Sequence, residues 1–532
     1  MKAHTLFRYG LLCVLLGFSQ TTLSIITSLS RNDPIPSYTA QNPFALLGTR
    51  HYEYLKEHQG EDYSHMSIEM LPFYQRATRG NDVCGNSTEL GDINGRWNMI
   101  ALLPFNVEGA TAASTTNLNT DLPCGYEFPQ ILVNIRDQLL EEIDEVVVPY
   151  GSSKLPDDLK TVQGLLDLQK SNTATFQNFG FFSVPMKYRK FGIRFNVQFY
   201  IAGGLGATLQ TGFADISQCA SFVDLTHCAS WQNPFNNLVS HEEDDSVAHV
   251  LTPTWKEITK KVSKILMANL SDILSSTQIC LDSCDFKDSS IEDLHGEVFW
   301  RYPIQMNKEI KNAQYPKFLF IPFCALGGTY AIAKKRDYSQ LLGLPFGNDE
   351  HSAIRARGGL SLDFYDTIQI SFEVGGTWFK ERRHSYYPVP NNSYQYPIYP
   401  FKTTVCIQPG NNWHMAAGMY AYHFYDNWSF TFNYVYASHE KDSIKLLCNN
   451  WAAKIPSEVE LPANENNCRT DIHPFKPQVI ECKSNWSAQV FDAALTYDIS
   501  PDFSLGAMFQ IPLKRTAAYR SSTFMASLYM HF

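Results

Sequence analysis

Phe191-Gly-Ile-Arg-Phe-Asn-Val-Gln-Phe-Tyr-Ile201 decides how this chain folds. Phe191, Ile193, Phe195, Val197, Phe199 and Ile201 fall on one side of an extended backbone, and Gly192, Arg194, Asn196, Gln198 and Tyr200 on the other. Successive side chains of a strand point to opposite faces, so this period of two makes a strand with one apolar and one polar face. About eleven residues is the length a tilted strand needs to cross a bilayer. Strands of soluble sandwiches are usually nearer five or six. Ala202-Gly203-Gly204 turns the chain, and Leu205 to Ile216 runs back with Gly206, Thr208, Gln210 and Gly212 at alternate positions.

Three more hairpins repeat the pattern. Across 353–380, Ile354, Ala356, Gly358, Leu360, Leu362 and Phe364 share a face; Tyr365-Asp366 turns; Ile368, Ile370, Phe372, Val374, Gly376 and Trp378 return. Across 413–440 the chain turns at Tyr425-Asp426-Asn427, and Trp428, Phe430, Phe432, Tyr434 and Tyr436 alternate with Ser429, Thr431, Asn433 and Val435. In the fourth, Phe491, Ala493, Leu495 and Tyr497 lead into Asp498-Ile-Ser-Pro-Asp502, and Phe503, Leu505, Ala507, Phe509 and Ile511 return. Each of these three has a short turn flanked by aromatics at one end, while 381–412 and 441–485 are long connections at the other. Short turns on one side, long loops on the other and aromatic side chains at the interface are the asymmetry of a membrane barrel.

The last segment is Thr523-Phe-Met-Ala-Ser-Leu-Tyr-Met-His-Phe532, with Phe524, Ala526, Leu528, Met530 and Phe532 on one face. It resembles the closing strand of bacterial outer-membrane β-barrel proteins of porin-like type. The resemblance implies that Phe532, Met530, Leu528 and Phe524 form an assembly signal read by the barrel-assembly machinery, and that the chain resides in the bacterial outer membrane. Counting back from Phe532 puts the terminus and the short turns on the same, periplasmic side.

Weaker alternation places strands near 64–76, 94–106, 174–187, 296–307 and 317–329. The fold expected is all-β: a transmembrane antiparallel β-barrel of about 14 strands (range 12–16), with long loops carrying short helices. Residues 25–63 read as an N-terminal periplasmic or plug segment. Residues 64–532 read as barrel, with large insertions at 107–173 and 217–295. This count sets 107–173 on the periplasmic side, where a long connection is out of place. Phe128 to Val147 and Trp255 to Leu274 have helical apolar stripes, read as helices packed in a loop subdomain or folded into the lumen. Arg382 to Asn412 is rich in Tyr and Pro, and proline cannot donate to a ladder, so it reads as loop.

Lys2 and Arg8 precede an apolar core from Tyr9 to Phe18, too short to span a bilayer as a helix, so 1–24 reads as a signal peptide. No run of about eighteen apolar residues follows. Aromatics make up 14% of the chain while mean hydropathy is negative, as expected where only alternate residues meet lipid. The net charge of -10 gives no reason to expect nucleic acid as a partner. Export implies an oxidising compartment, so Cys84, Cys124, Cys219, Cys228, Cys280, Cys284, Cys406, Cys448, Cys468 and Cys482 are disulfide candidates. With Cys324 the count after the signal is odd, and no pair has zinc-ligand spacing.

Chemistry leaves little trace. There is no Gly-x-Ser-x-Gly, His-Glu-x-x-His or phosphate-binding glycine loop, and no cofactor or catalytic residue is assigned. His241-Glu-Glu-Asp-Asp245 reads as a solvated loop before it reads as a cation site. The functional candidates are the polar faces of the clearest strands: Arg194, Asn196, Gln198, Asp363, Gln369, Ser371, Glu373, Thr431, Asn433, Asp492 and Gln510. In a barrel these line the lumen and set which solutes pass. The leading expectation is a porin-like channel for passive passage of small polar solutes. Its partners would be outer-membrane lipid, the assembly machinery and those solutes, with a homo-oligomer left open. The alternatives are a cysteine-crosslinked structural or surface-binding protein and a barrel enzyme.

Overall fold

The computed structural model describes residues 66–99, 102, 130–147, 181–225, 260–277, 280–306, 318–364, 368–390, 395, 398–447, 475–500 and 502–532. Twelve strands form one closed antiparallel barrel: β1 (Met66–Ala77), β2 (Met186–Ala202), β3 (Leu205–Ala220), β4 (Leu294–Arg301), β5 (Leu319–Tyr330), β6 (Ala353–Phe364), β7 (Ile368–Phe379), β8 (Asn412–Tyr425), β9 (Trp428–His439), β10 (Trp486–Ser500), β11 (Phe503–Thr516) and β12 (Ser522–His531). Each pairs with its neighbours in chain order. β12 pairs with β1 from Ser67↔His531 to Arg76↔Ser522, and Phe532 N–H donates to Met66 O at 2.9 Å. The barrel therefore has no open edge.

The outer face is apolar. Phe191, Leu326, Ile354, Phe509 and Phe524 are 46–63% exposed. A soluble chain does not display so broad a greasy belt, whereas a lipid-facing wall requires one. Aromatic side chains mark both rims. Phe424, Tyr425 and Trp428 lie at the end bearing Phe532, and the T-shaped pair Trp378–Trp413 lies at the other. Gly203 and Gly204 make the β2–β3 turn with φ of 59° and 84°, which glycine adopts without strain. The β6–β7, β8–β9 and β10–β11 turns are also short and lie at the Phe532 end.

The opposite end carries the long connections, which build a cap. It includes a three-stranded sheet of Arg382–Val389, Phe401–Gln408 and Ser443–Leu446, and the helices Gln130–Val147, Leu270–Ser275 and Pro477–Glu481. Leu132, Ile135, Leu139, Leu266, Ile273 and Leu274 from the helical segments pack with Leu90, Trp97, Met99 and Phe182 in one core. That core also takes in Tyr188, Ile216, Val435, Ala437, Ala488 and Val490 from the barrel's mouth. The cap is thus seated on the barrel wall.

Two expected strands are corrected. Among the described residues of 94–106, Trp97–Asn98 is extended, and among those of 174–187, Phe181–Ser183 is extended before β2 begins; both belong to a small cap sheet with Val223–Asp224. Their apolar residues face the cap core, not lipid, and alternation cannot tell the two apart. Without them the count falls from fourteen to twelve. The connection from β1 to β2 then leaves and re-enters at the cap end, so the described helix Gln130–Val147 within 107–173 lies with the other long loops and not at the Phe532 end. The 382–412 segment is also corrected, because Pro388 lies in an edge strand paired with Phe401–Gln408, where a missing N–H is tolerated. The insertion at 217–295 begins later than expected, since β3 runs to Ala220, and Phe286–Ile291 pairs with β3. The segment 1–24 expected to be a signal peptide, the 25–63 segment and His241–Asp245 lie outside the described residues.

Phe372 sits mid-strand on the outer face of β7, opposite Leu360 and Ala417. Phe372→Arg is expected to cost about 2–4 kcal/mol in urea unfolding from lipid vesicles. A change below about 0.5 kcal/mol would place this face out of lipid.

Candidate functional site

The inner face of the barrel is the candidate site. All eleven polar candidates point inward and are buried, with at most 7% exposure. The structure brings them into contact with charged residues that the sequence reading did not select. Arg357 of β6 donates to Glu297 of β4 (Nη2–Oε1 2.5 Å) and to Glu373 of β7 (Nη1–Oε2 2.9 Å). Arg355 reaches Glu297 at 3.5 Å, and His414 of β8 lies 3.0 Å from Glu373. A second group joins Arg194 and Lys190 of β2 to Glu292 at 2.6 and 2.8 Å, with the Arg194 guanidinium 4.2 Å above the Phe73 ring. Asn196 donates to Glu69 at 3.3 Å, and the Gln369 amide donates to Ser371, which donates to Ser361.

The pairs of Arg355 and Arg357 with Glu297 and of Arg194 with Glu292 cross an intervening strand, and glycines make that contact possible, whereas Glu373 lies on the strand next to both Arg357 and His414. Gly327 lies between Glu297 and Arg355, Gly375 between Arg357 and His414, and Gly212 between Arg194 and Glu292. A Cβ on Gly327 would come within 2.9 Å of the Glu297 side chain, and one on Gly375 within 2.4 Å of the His414 ring. Gly212 and Gly327 are gaps through which a cation meets an acid, and Gly375 makes room for the His414 ring beside Arg357.

Glu292 arrives by a bulge. Between Phe213↔Ile291 and Gln210↔His295, two residues of β3 face three, Glu292, Asp293 and Leu294. The extra residue breaks the alternation, and both acids are buried. No sequence signal of period two could have found them. Arg355, Arg357 and Glu297 by contrast alternate with lipid-facing residues and were legible.

The wall formed by β10, β11 and β12 differs. There the inward positions include the small, half-buried Ala494, Thr496, Ser504, Gly506 and Ser527, set among the larger Met508, Met525 and Tyr529. The charged, ion-paired side chains lie on the β2–β8 side of the lumen.

The cap holds a separate buried chain of polar groups. Asp349 Oδ2 lies 3.2 Å from Tyr338 OH, Tyr338 OH 3.1 Å from His384 Nδ1, His384 Nε2 3.0 Å from His351 Nε2, and His351 Nδ1 3.0 Å from Lys380 O. His351 must donate to the carbonyl, so its Nε2 accepts from His384. His384 Nδ1 then accepts from Tyr338, whose single proton is thereby used. A protonated Asp349 completes the chain, and burial raises its carboxyl above the usual range. Among the described residues no three metal-ligating side chains converge.

Every described disulfide candidate lies at the cap end. Cys84, Cys219, Cys280, Cys284 and Cys482 are exposed free thiols, and Cys406 is a half-buried one, so the expected bridges are not formed among them. Cys124, Cys228, Cys448 and Cys468 lie outside the described residues.

Burial pushes His351 down from 6.5 to about 4 and His384 to about 3, with the neighbouring histidine, Lys335 and Arg382 adding to the shift at His384. The unfolded chain binds these protons first, so stability is full above about pH 6.5 and falls as pH drops toward 4. Trp fluorescence and limited proteolysis of the cap should follow that window. His351→Gln with His384→Gln should flatten the dependence, and an unchanged slope would assign it to other groups.

No family model and no curated protein matches the chain. Among solved structures, an outer membrane channel from Pseudomonas putida F1 aligns with TM-score 0.39 at 6% identity, over 88% of this chain and 97% of that one. The transport unit of the autotransporter AIDA-I from Escherichia coli aligns with TM-score 0.31 at 6% identity, over 90% and 97%. The NanC porin aligns with TM-score 0.27 at 8% identity, over 64% and 94%. These are likenesses of fold alone. The closed twelve-strand wall with its apolar belt and polar interior makes this chain an antiparallel β-barrel of transmembrane type.

Proposed function

We propose that the protein is a porin-like outer-membrane channel for small polar solutes. In this reading it is exported by its N-terminal signal and inserted by the assembly machinery at the β12 face carrying Phe524, Leu528, Met530 and Phe532. The observation that carries the proposal is the set of small, half-buried inward residues Ala494, Thr496, Ser504, Gly506 and Ser527 in a lumen otherwise lined by buried polar side chains. Barrels of about eight strands are filled by their own side chains, and those of 16–18 hold an open aqueous channel. Twelve strands suit a narrow passage. Arg194, Asn196, Gln198, Asp363, Gln369, Ser371, Glu373, Thr431, Asn433, Asp492 and Gln510 would set its selectivity.

Planar-bilayer recording tests this. The expected result is small discrete conductance steps that Ala494→Trp reduces at least about twofold, since a large ring at that position fills the passage. Well-folded protein without any conductance would count against a channel.

The exposed thiols favour a second reading, a surface crosslinked between copies. The Asp282 carboxylate beside Cys284 raises its thiol, and burial followed by Glu381 raises Cys406, so both react slowly until oxidised or deprotonated. Non-reducing gels of whole envelopes should show multimers that a reductant collapses and that serine replacement of Cys84, Cys280, Cys284 and Cys482 removes. Monomer alone in oxidised envelopes would end this reading.

A further inference from the structure

We propose that the cap carries a binding site for a small single-ring carboxylate. Five cap-end connections and the ends of β2 and β3 enclose a cavity of about 180 Å3. A cavity of about 150 Å3 holds a benzene ring, so this one has room for a ring and one small polar group. Its apolar wall includes Leu90, Ile93, Trp97, Leu342, Tyr399 and Tyr519.

Most polar groups at the wall already have partners. Gln218 donates to Leu342 O at 3.4 Å and accepts from Tyr519 OH at 3.2 Å, and Trp97 Nε1 donates to Gly91 O at 2.9 Å. Arg336 is different. Its Nε is buried and has no hydrogen-bond partner among the described residues. Its guanidinium lies 5.9 Å from the Tyr338 ring centre, and Asp349 accepts from the Arg336 backbone N–H and meets the guanidinium only through space.

Arg336 as a whole is only half-buried at the cavity wall, so its guanidinium can meet an anion there. A planar carboxylate matches the guanidinium fork, and an attached ring matches the aromatic and leucine walls. A neutral ring leaves Arg336 unmatched, and a small anion such as acetate leaves the apolar walls unfilled. Neither satisfies both halves of the cavity.

Calorimetric titration of the purified full chain in detergent tests the site, with benzoate, benzyl alcohol and acetate as probes. Benzoate should bind saturably and at least about tenfold more tightly than the other two. Arg336→Gln should weaken benzoate about tenfold and leave benzyl alcohol unchanged. Leu342→Trp should fill the cavity and abolish binding. Should that variant not fold, as judged by heat-modified gel migration, Gln340→Trp at the half-buried wall replaces it. Absence of saturable binding at millimolar benzoate, equal affinity for benzyl alcohol, or benzoate binding untouched by Arg336→Gln or by the folded tryptophan variant would each overturn the proposal. No conductance is read, so the outcome is separate from that of the channel reading.

Discussion

Backbone hydrogen bonds in lipid have no water to fall back on, and that constraint shapes the whole barrel. An unpaired N–H or C=O in the hydrocarbon layer costs several kcal/mol, so a sheet that crosses it must close. The pairing of β1 with β12, finished by Met66 and Phe532, is where closure happens. Once the ring is closed, every strand has two faces and two environments. The apolar row meets lipid, and the other row must find company inside.

That second requirement explains the ion pairs. A buried arginine has to be matched, because a charge left alone inside costs about 3–5 kcal/mol. Arg357 is matched twice, by Glu297 and Glu373, and Arg194 by Glu292. Glu297 and Glu292 sit two strands from their arginines, too far to touch if every inward position carried a side chain, while Glu373 is on the strand next to Arg357. Gly212 and Gly327 open the way. The pairing occupies one side of the lumen, and the small residues of β10–β12 lie on the other.

The parts of this architecture governed by a period of two were legible in the sequence. The four hairpins, the closing strand and the polar row from Arg194 to Gln510 follow from counting by twos. The count fails in two physical situations. Apolar residues such as Trp97 and Phe182 alternate in a cap whose core is protein, and water-exclusion by protein or by lipid selects the same side chains. At the bulge, one extra residue turns Glu292 and Asp293 inward together, so no alternation remains to be counted. The Asp349–Tyr338–His384–His351 chain is illegible for another reason: its members come from two connections that only the folded cap brings together.

The bulge also links the barrel wall to the cap. Asp293 accepts N–H bonds from Ile332 and Ala333 at 3.1 Å and from Asn348 at 2.6 Å, drawing both ends of the β5–β6 connection onto the rim. Gly347 lies so close that a Cβ there would come within 2.2 Å of the carboxylate. This same connection supplies Arg336 and Leu342 to the cavity and Tyr338, Asp349 and His351 to the buried polar chain. A displacement of this connection at the bulge would therefore reach the cavity and the histidine pair together. The lumen lies directly beneath, since Glu292, the neighbour of Asp293, anchors Arg194 and Lys190 inside it. One irregularity in one strand thus joins the elements through which cap and lumen can act on each other.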